Sequence, residues 1–396
     1  MRKPILCTAL LTACISYKSE DVRLPVVADA IEARPGGRFD FEDAAARARA
    51  RSPALLAQAA RARAAGADIP PANVFGSANF RQDHWRIAAD PLALARLGPR
   101  GAASKAAAAR QFEALAVLGE MERSIAADVA ECFLVERVLR DRRAPEIPDD
   151  TEAFRSAGLA SVTHDKMIRA ARASARTESL EIESTRRENL ARLRYLLALG
   201  PAAELDLVLP EGPFPALPEP TRSRLLSRPE LAVMLARYRT ADAEFRQAVV
   251  EQYPRFVVGG ELPLNPPGAG AIVALKIPIG ASARARAAGA RREAARLAIE
   301  EALLRAQHDA EKRTAALEAS KARSFSTARS ATAASDRLRT SLVRLELDPD
   351  SFGAAAEAAL RAVRVSARAR EAAVAEGRDR VSYVEAYGWP LQEETP

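Results

Sequence analysis

Arg255-Phe-Val-Val-Gly-Gly-Glu-Leu-Pro-Leu264 is followed by Asn265-Pro266-Pro267-Gly268 and then Ala271-Ile-Val-Ala-Leu-Lys-Ile-Pro-Ile279. Phe256, Val258, Gly260, Leu262 and Leu264 fall on one side of an extended chain; Arg255, Val257, Gly259 and Glu261 fall on the other. After the turn, Ala271, Val273, Leu275, Ile277 and Ile279 form a wholly apolar side, with Lys276 opposite. A period of two with one apolar side predicts β-strands. Each run is near the length that a tilted strand needs to cross a bilayer. Apolar-out, polar-in alternation suits a closed barrel in lipid, and a soluble hairpin with one buried face would show it too.

The stretches on either side are helical. Ser227-Arg228-Pro229-Glu230-Leu231 opens a helix that runs into the first strand, and no proline occurs between Ile279 and Asp348. At about 1.5 Å per residue, that run predicts a helix on the order of 100 Å long. It must pack beside other helices, and its many alanines permit close approach.

The first half of the chain repeats the plan. Ser52-Pro53-Ala54-Leu55 opens a helical stretch over Phe39 to Ala67, ended by Pro70-Pro71. Val74, Gly76, Ala78 and Phe80 then alternate with Asn73, Ser77, Asn79 and Arg81, which predicts a strand; a weaker one is expected over Ala88 to Leu97. Gly98-Pro99-Arg100-Gly101 breaks into a helix from Ala102 to Arg143, and after Pro145 and Pro148 another runs to Leu199. The two halves end alike, in Tyr195-Leu-Leu-Ala-Leu-Gly200 and Tyr383-Val-Glu-Ala-Tyr-Gly388. A unit used twice argues for an elongated, duplicated architecture.

The expected division is a signal peptide over 1–13, a leader over 14–39 and a first repeat over 40–200, with strands at about 72–97 and a helical hairpin at about 102–199. A proline-rich linker over 201–222 leads to a second repeat over 223–390, with strands at about 253–279 and a hairpin at about 280–388. The leader, with Pro25, Pro35, Gly36 and Gly37, reads as extended.

Composition fits long helices. Of 396 residues only 5% are aromatic, and the net charge of +7 comes from arginine, since only seven residues are lysine. Arg and Glu are interleaved, so no basic block points to nucleic acid. Arg2 and Lys3 precede a short apolar run and Leu11-Thr12-Ala13-Cys14, which resembles a bacterial lipobox. Cys14 is the candidate lipid attachment residue; Cys132 reads as a small buried apolar residue.

No catalytic constellation is legible, so no enzyme and no cofactor is expected. His84, His164 and His308 lack metal-ligand spacing. His164-Asp165 reads as a solvent-exposed pair at a hairpin tip. Gly259-Gly260 and Gly268-Ala-Gly270 have no phosphate-loop continuation.

In order and spacing these stretches resemble the TolC family of outer-membrane efflux and secretion channels. The stretches are Ser52 to Ala67, Arg228-Pro229-Glu230-Leu231 with Ala241-Asp242-Ala243, Tyr253-Pro254 before the strand, Ile277-Pro278-Ile279 before the long helix, and Tyr387-Gly388-Trp389. The resemblance implies a mainly α homotrimer in which each chain gives four strands to a 12-stranded β-barrel, continuous with a long α-helical coiled-coil barrel. It implies the outer membrane, a periplasmic adaptor (membrane fusion protein), an inner-membrane transporter, and passive export in an efflux or type I secretion system. Gly158 and Leu159 resemble the family's adaptor-contacting tip, although a plain turn glycine reads as well. At the second tip, Leu347-Asp348-Pro349-Asp350 replaces the usual Gly-Leu. Asp348 and Asp350 would form an acidic gate on the threefold axis or simply cap a helix turn. Glu261 and Lys276 are expected in the barrel interior, paired across adjacent strands. The alternative reading is a periplasmic coiled-coil adaptor or scaffold lipoprotein without a pore.

Overall fold

The computed structural model describes residues 22–67, 74–79, 84–89, 98–141, 144–147, 162–212, 214–263, 270–348 and 351–388. Cys14, Gly158, Leu159 and Asp350 lie outside them, as do Phe80, 90–97 and Trp389.

The described helices are α1 (Leu24–Glu32), α2 (Phe41–Arg51), α3 (Pro53–Ala67), α4 (Gly98–Asp141), α5 (Val162–Leu196), α6 (Arg222–Leu226), α7 (Pro229–Val250), α8 (Ala281–Leu347) and α9 (Phe352–Tyr387). The strands are β1 (Gly37–Phe39), β2 (Val74–Asn79), β3 (His84–Ala89), β4 (Leu205–Leu207), β5 (Arg255–Pro263) and β6 (Gly270–Lys276). The order helix, two strands, helix, helix occurs twice. The 67 residues of α8 span about 100 Å, as the proline-free run predicts.

Several boundaries differ from expectation. The single helix expected over Phe39 to Ala67 is two, α2 and α3, meeting at Ser52. Pro53 has no N–H to donate and forces Ser52 into extended backbone. Asp40 caps α2 by accepting from the Asp43 N–H at 2.8 Å. Glu42 and Asp43 in its first turn and Arg49 and Arg51 in its last oppose the helix dipole with the favourable sign. α4 starts at Gly98, four residues early, because proline is tolerated in a first helical turn. The leader is not simply extended: it holds α1 and β1. The linker holds β4, which pairs in parallel with β1, Gly37 opposite Leu205 and Phe39 opposite Leu207. Three-residue strands are too short to show a period. The second strand is β3 at His84–Ala89, ahead of the stretch expected from Ala88.

Two kinds of packing hold the helices together. In the last third of α4, Val129, Cys132 and Phe133 meet Leu193, Leu196 and Leu197 of α5, with Phe39, Ala44 and Ala48 closing the cluster. Phe41 stands edge-on to Phe133 at 6.1 Å and to Phe214 at 4.7 Å. Toward the far end of the helices, Ala334 and Leu338 of α8 meet Ala359 and Ala362 of α9, with Ala171 of α5. The first cluster fills space with large side chains; the second brings backbones close with small ones.

Candidate pore-forming sheet and its helical junction

The four longer strands form one antiparallel sheet in the order β2-β3-β5-β6. The two halves of the chain therefore meet at β3 and β5, where Ala89 faces Val258 and His84 faces Pro263. Paired residues of an antiparallel ladder share a face, so the register sorts the strands into two sides. One side carries Val74, Gly76 and Ala78 of β2 with Trp85, Ile87 and Ala89 of β3. The same side carries Phe256, Val258 and Leu262 of β5 with Val273 and Leu275 of β6. It has no charged or polar residue. The other side carries Ser77, Asn79 and His84 together with Arg86, Arg255, Glu261 and Lys276, the four charged residues of these strands.

On the apolar side, Val258, Val273 and Leu275 are exposed in the single chain, as are Ile277 and Ile279 just beyond β6, Ile279 at 98%. A contiguous exposed aliphatic surface of this kind marks a membrane or protein contact. Among the described residues, no helix is long and apolar enough to cross a membrane.

Glu261 and Lys276 share the charged face but do not pair across strands. Glu261 faces Gly270 on β6 and Arg86 on β3, whereas Lys276 faces Arg255. They sit at opposite ends of the β5–β6 ladder, about 20 Å apart at the usual rise per residue. Alternation alone assigns residues to faces; it leaves the register open.

At one end of the sheet β5 follows closely on α7 and β6 leads into α8. Gly280 takes φ +81° at the start of α8, a left-handed conformation that glycine adopts without steric cost. The helices next to the sheet are tied by Arg110 to Glu244 at 3.0 Å and by Arg292 to Asp242 at 2.9 Å. Arg292 also lies over the Phe245 ring, and Phe245 packs against Gly289. Near the middle, Arg228 is buried between Glu230 and Asp309 and donates to the Ala306 carbonyl at 3.0 Å. Arg192 joins Asp128 and Glu131, and Arg378 also reaches Glu131 at 2.8 Å. The cleft between α4 and α9 is lined by Asp128, Glu131, Arg378 and Glu385. Its carboxylates are already engaged, Glu385 by Arg313. Burial pushes the Glu385 carboxyl above its ordinary range, against the pull of Arg313.

A buried ion pair also joins the two halves deep in the helices: Arg370 of α9 donates to Glu178 of α5. Burial raises the Glu178 carboxyl, and Arg370 opposes that rise. Its second oxygen is buried without a hydrogen-bond partner. Spacing could not reveal this pair, because 192 positions separate its members.

At the tips, Asp348 is the exposed C-cap of α8; its carbonyl accepts from the Ser351 N–H at 3.0 Å and from the Ser351 hydroxyl at 2.6 Å. His164-Asp165 is not the exposed pair expected. Asp165 is buried with an ion pair to Arg169 at 2.8 Å, and His164 lies so close to Gly353 that a Cβ there would sit 2.6 Å from its ring. The first turn of α5 docks on the first turn of α9, a contact that the distance in sequence conceals. Cys132 is fully buried, and burial lifts its thiol to about 12. Among the described residues no cluster could hold a metal ion.

No known family profile matches the sequence, and no curated protein does. Solved structures match over nearly the whole chain. The outer-membrane channel OprN superposes with a TM-score of 0.70 at 18% identity, covering 96% of this chain and 99% of that one. The open state of the MtrE outer membrane channel of Neisseria gonorrhoeae gives 0.70 at 18%, covering 90% of each chain. The CmeC outer membrane channel of Campylobacter jejuni gives 0.64 at 13%, covering 92% of this chain and 85% of that one. The fold is that of the TolC-family outer-membrane channels.

Proposed function

We propose that three copies of this chain close their sheets into one 12-stranded barrel in the outer membrane, above a helical tunnel in the periplasm. The observation that carries this reading is the two-sided sheet. Four strands with one wholly apolar face and one charged face cannot close alone, and β2 and β6 end the sheet as open edges. In lipid an unpaired strand edge leaves backbone groups unsatisfied, which only closure relieves. A second and third copy supply the missing strands, β6 of one chain meeting β2 of the next. The apolar faces then meet lipid and the charged faces line water.

The channel is passive: it is no enzyme and needs no cofactor. Export is driven by an inner-membrane transporter joined through a periplasmic adaptor, for which the fold of the neighbouring channels is the support. Gly158 and Leu159 are the proposed adaptor contact, Asp348 and Asp350 the proposed gate, and Cys14 the proposed lipid anchor, three acyl chains holding far better than one. Glu261 and Lys276 lie in the proposed barrel interior.

The test is the mass of the protein extracted from outer membranes in mild detergent. A particle of three chains that conducts ions in a planar bilayer is the expected result. A single chain, released from the membrane once the lipid is removed, would sink the channel and leave a scaffold lipoprotein.

A further inference from the structure

The charges on the polar face of the sheet are unevenly placed. Arg86 and Glu261 face each other toward one end, and there the charge is balanced. At the other end Arg255 and Lys276 are direct register partners, cation opposite cation. Like charges directly opposite on one face destabilise a ladder, so packing gives no reason for this pair. It lies where the strands join the helices: β5 begins five residues after α7 ends at Val250, and α8 begins five residues after Lys276.

The adjoining helices deepen the excess. The first sixteen residues of α8 hold Arg284, Arg286, Arg291, Arg292 and Arg296 against Glu293 alone. The first sixteen residues of α4 hold Arg100, Lys105 and Arg110 against Glu113 alone, and Glu113 is itself paired with Arg237. α7 brings Asp242 and Glu244, which are bound to Arg246, Arg292 and Arg110, and Glu251, which accepts from Gln247. Arg284, Arg286, Arg291 and Lys105 are exposed. The chain as a whole carries +7, so this junction concentrates the surplus.

We propose that Arg255 and Lys276, repeated by threefold symmetry, form a cationic ring at the junction of barrel and tunnel that selects anionic solutes for passage. This rests on the channel reading above. Six cations in one ring, walled by protein, raise the local concentration of anions and repel cations, as charged rings do in other pores. The preferred cargo is therefore anionic: organic acids, phosphorylated or sulfated small molecules, and acidic conjugates. The exposed Arg284, Arg286 and Arg291 of α8 and Lys105 of α4 add a positive field that draws such solutes toward the ring.

The test is the reversal potential of the full-length trimer in planar bilayers under a KCl gradient. The wild type is expected to pass chloride more readily than potassium. Arg255→Gln with Lys276→Gln should cut that preference by about threefold at low salt, less at high salt, because the ring acts through a screened field. Glu261→Gln should strengthen the preference. A wild-type channel that favours potassium, or a double variant with unchanged selectivity, overturns the ring while leaving the channel intact. Should the double variant not assemble, the wild-type ratio and Lys276→Gln alone decide. A preparation that is monomeric, or a trimer that never conducts, overturns the channel reading beneath it.

Discussion

The two repeats end on the same letters and use them differently. Tyr195 and Tyr383 occupy equivalent places before Gly200 and Gly388, yet Tyr195 is 79% exposed and Tyr383 only 7%. The Tyr383 hydroxyl donates to the Pro218 carbonyl at 3.3 Å. Its ring lies 4.8 Å from Tyr387, and burial raises the pKa of the phenol. Gly200 is pressed against the carbonyls of Glu32 and Ile31, where a Cβ would not fit, while Gly388 is needed for its φ of +85°. Leu193 and Val381 sit two residues before each tyrosine. Both pack on α4, Leu193 beside Val129 and Phe133, Val381 beside Ala127, Ala130 and Leu134. The last third of α4 is thus held by both return helices. The two endings share the helix face that docks on α4 and differ in the rest of their contacts.

The largest effect is expected where the repeats are joined. Arg370→Ala strips the counter-charge from buried Glu178, a loss of about 4 kcal/mol at neutral pH. Burial already raises the Glu178 carboxyl, and losing Arg370 raises it further. Above the unfolded carboxylate range the unfolded chain is ionised, while the folded one pays to ionise. Stability therefore falls as pH rises through that window and is regained in acid. Melts followed by circular dichroism at acid and neutral pH check this; equal losses at both would exclude an electrostatic cause.

Next comes the docking face common to both repeats. Leu193→Ala should cost about 3 kcal/mol and Val381→Ala about 2 kcal/mol, since each empties a close-packed site and leucine removes more atoms. If Val381→Ala were neutral, the second return helix would not be anchored on α4, and the symmetry of the two contacts would be broken. The smallest effect separates the tyrosines. Tyr383→Phe should lose about 1 kcal/mol with its hydrogen bond, and Tyr195→Phe should change stability by about zero in the single chain. A clear loss for Tyr195→Phe in the assembled protein would show that the exposed ring is covered by a neighbouring copy.

Much of the fold was legible because its periods are long and clean. The alternation of Phe256, Val258 and Leu262 against Arg255 and Glu261 fixed two faces, and the proline-free run from Ile279 fixed α8. The short strands β1 and β4 were not legible, because three residues carry no period and each exists only by pairing with the other. The helix break at Ser52 is written in Pro53, but the apolar spacing on both sides runs through it. The expected Glu261–Lys276 pair failed because alternation repeats every two residues, and every even shift of register leaves the faces the same.

The sequence by itself therefore determined the order of the longer helices and of the four sheet strands and which strand residues share a side, since these follow from local periodicity and from proline and glycine. Only the tertiary structure decided that Arg255 stands opposite Lys276, that Glu178 meets Arg370, and that His164 rests on Gly353. Such contacts join residues far apart in the chain, and they are set by the register and axial stagger of packed elements, which no local pattern encodes.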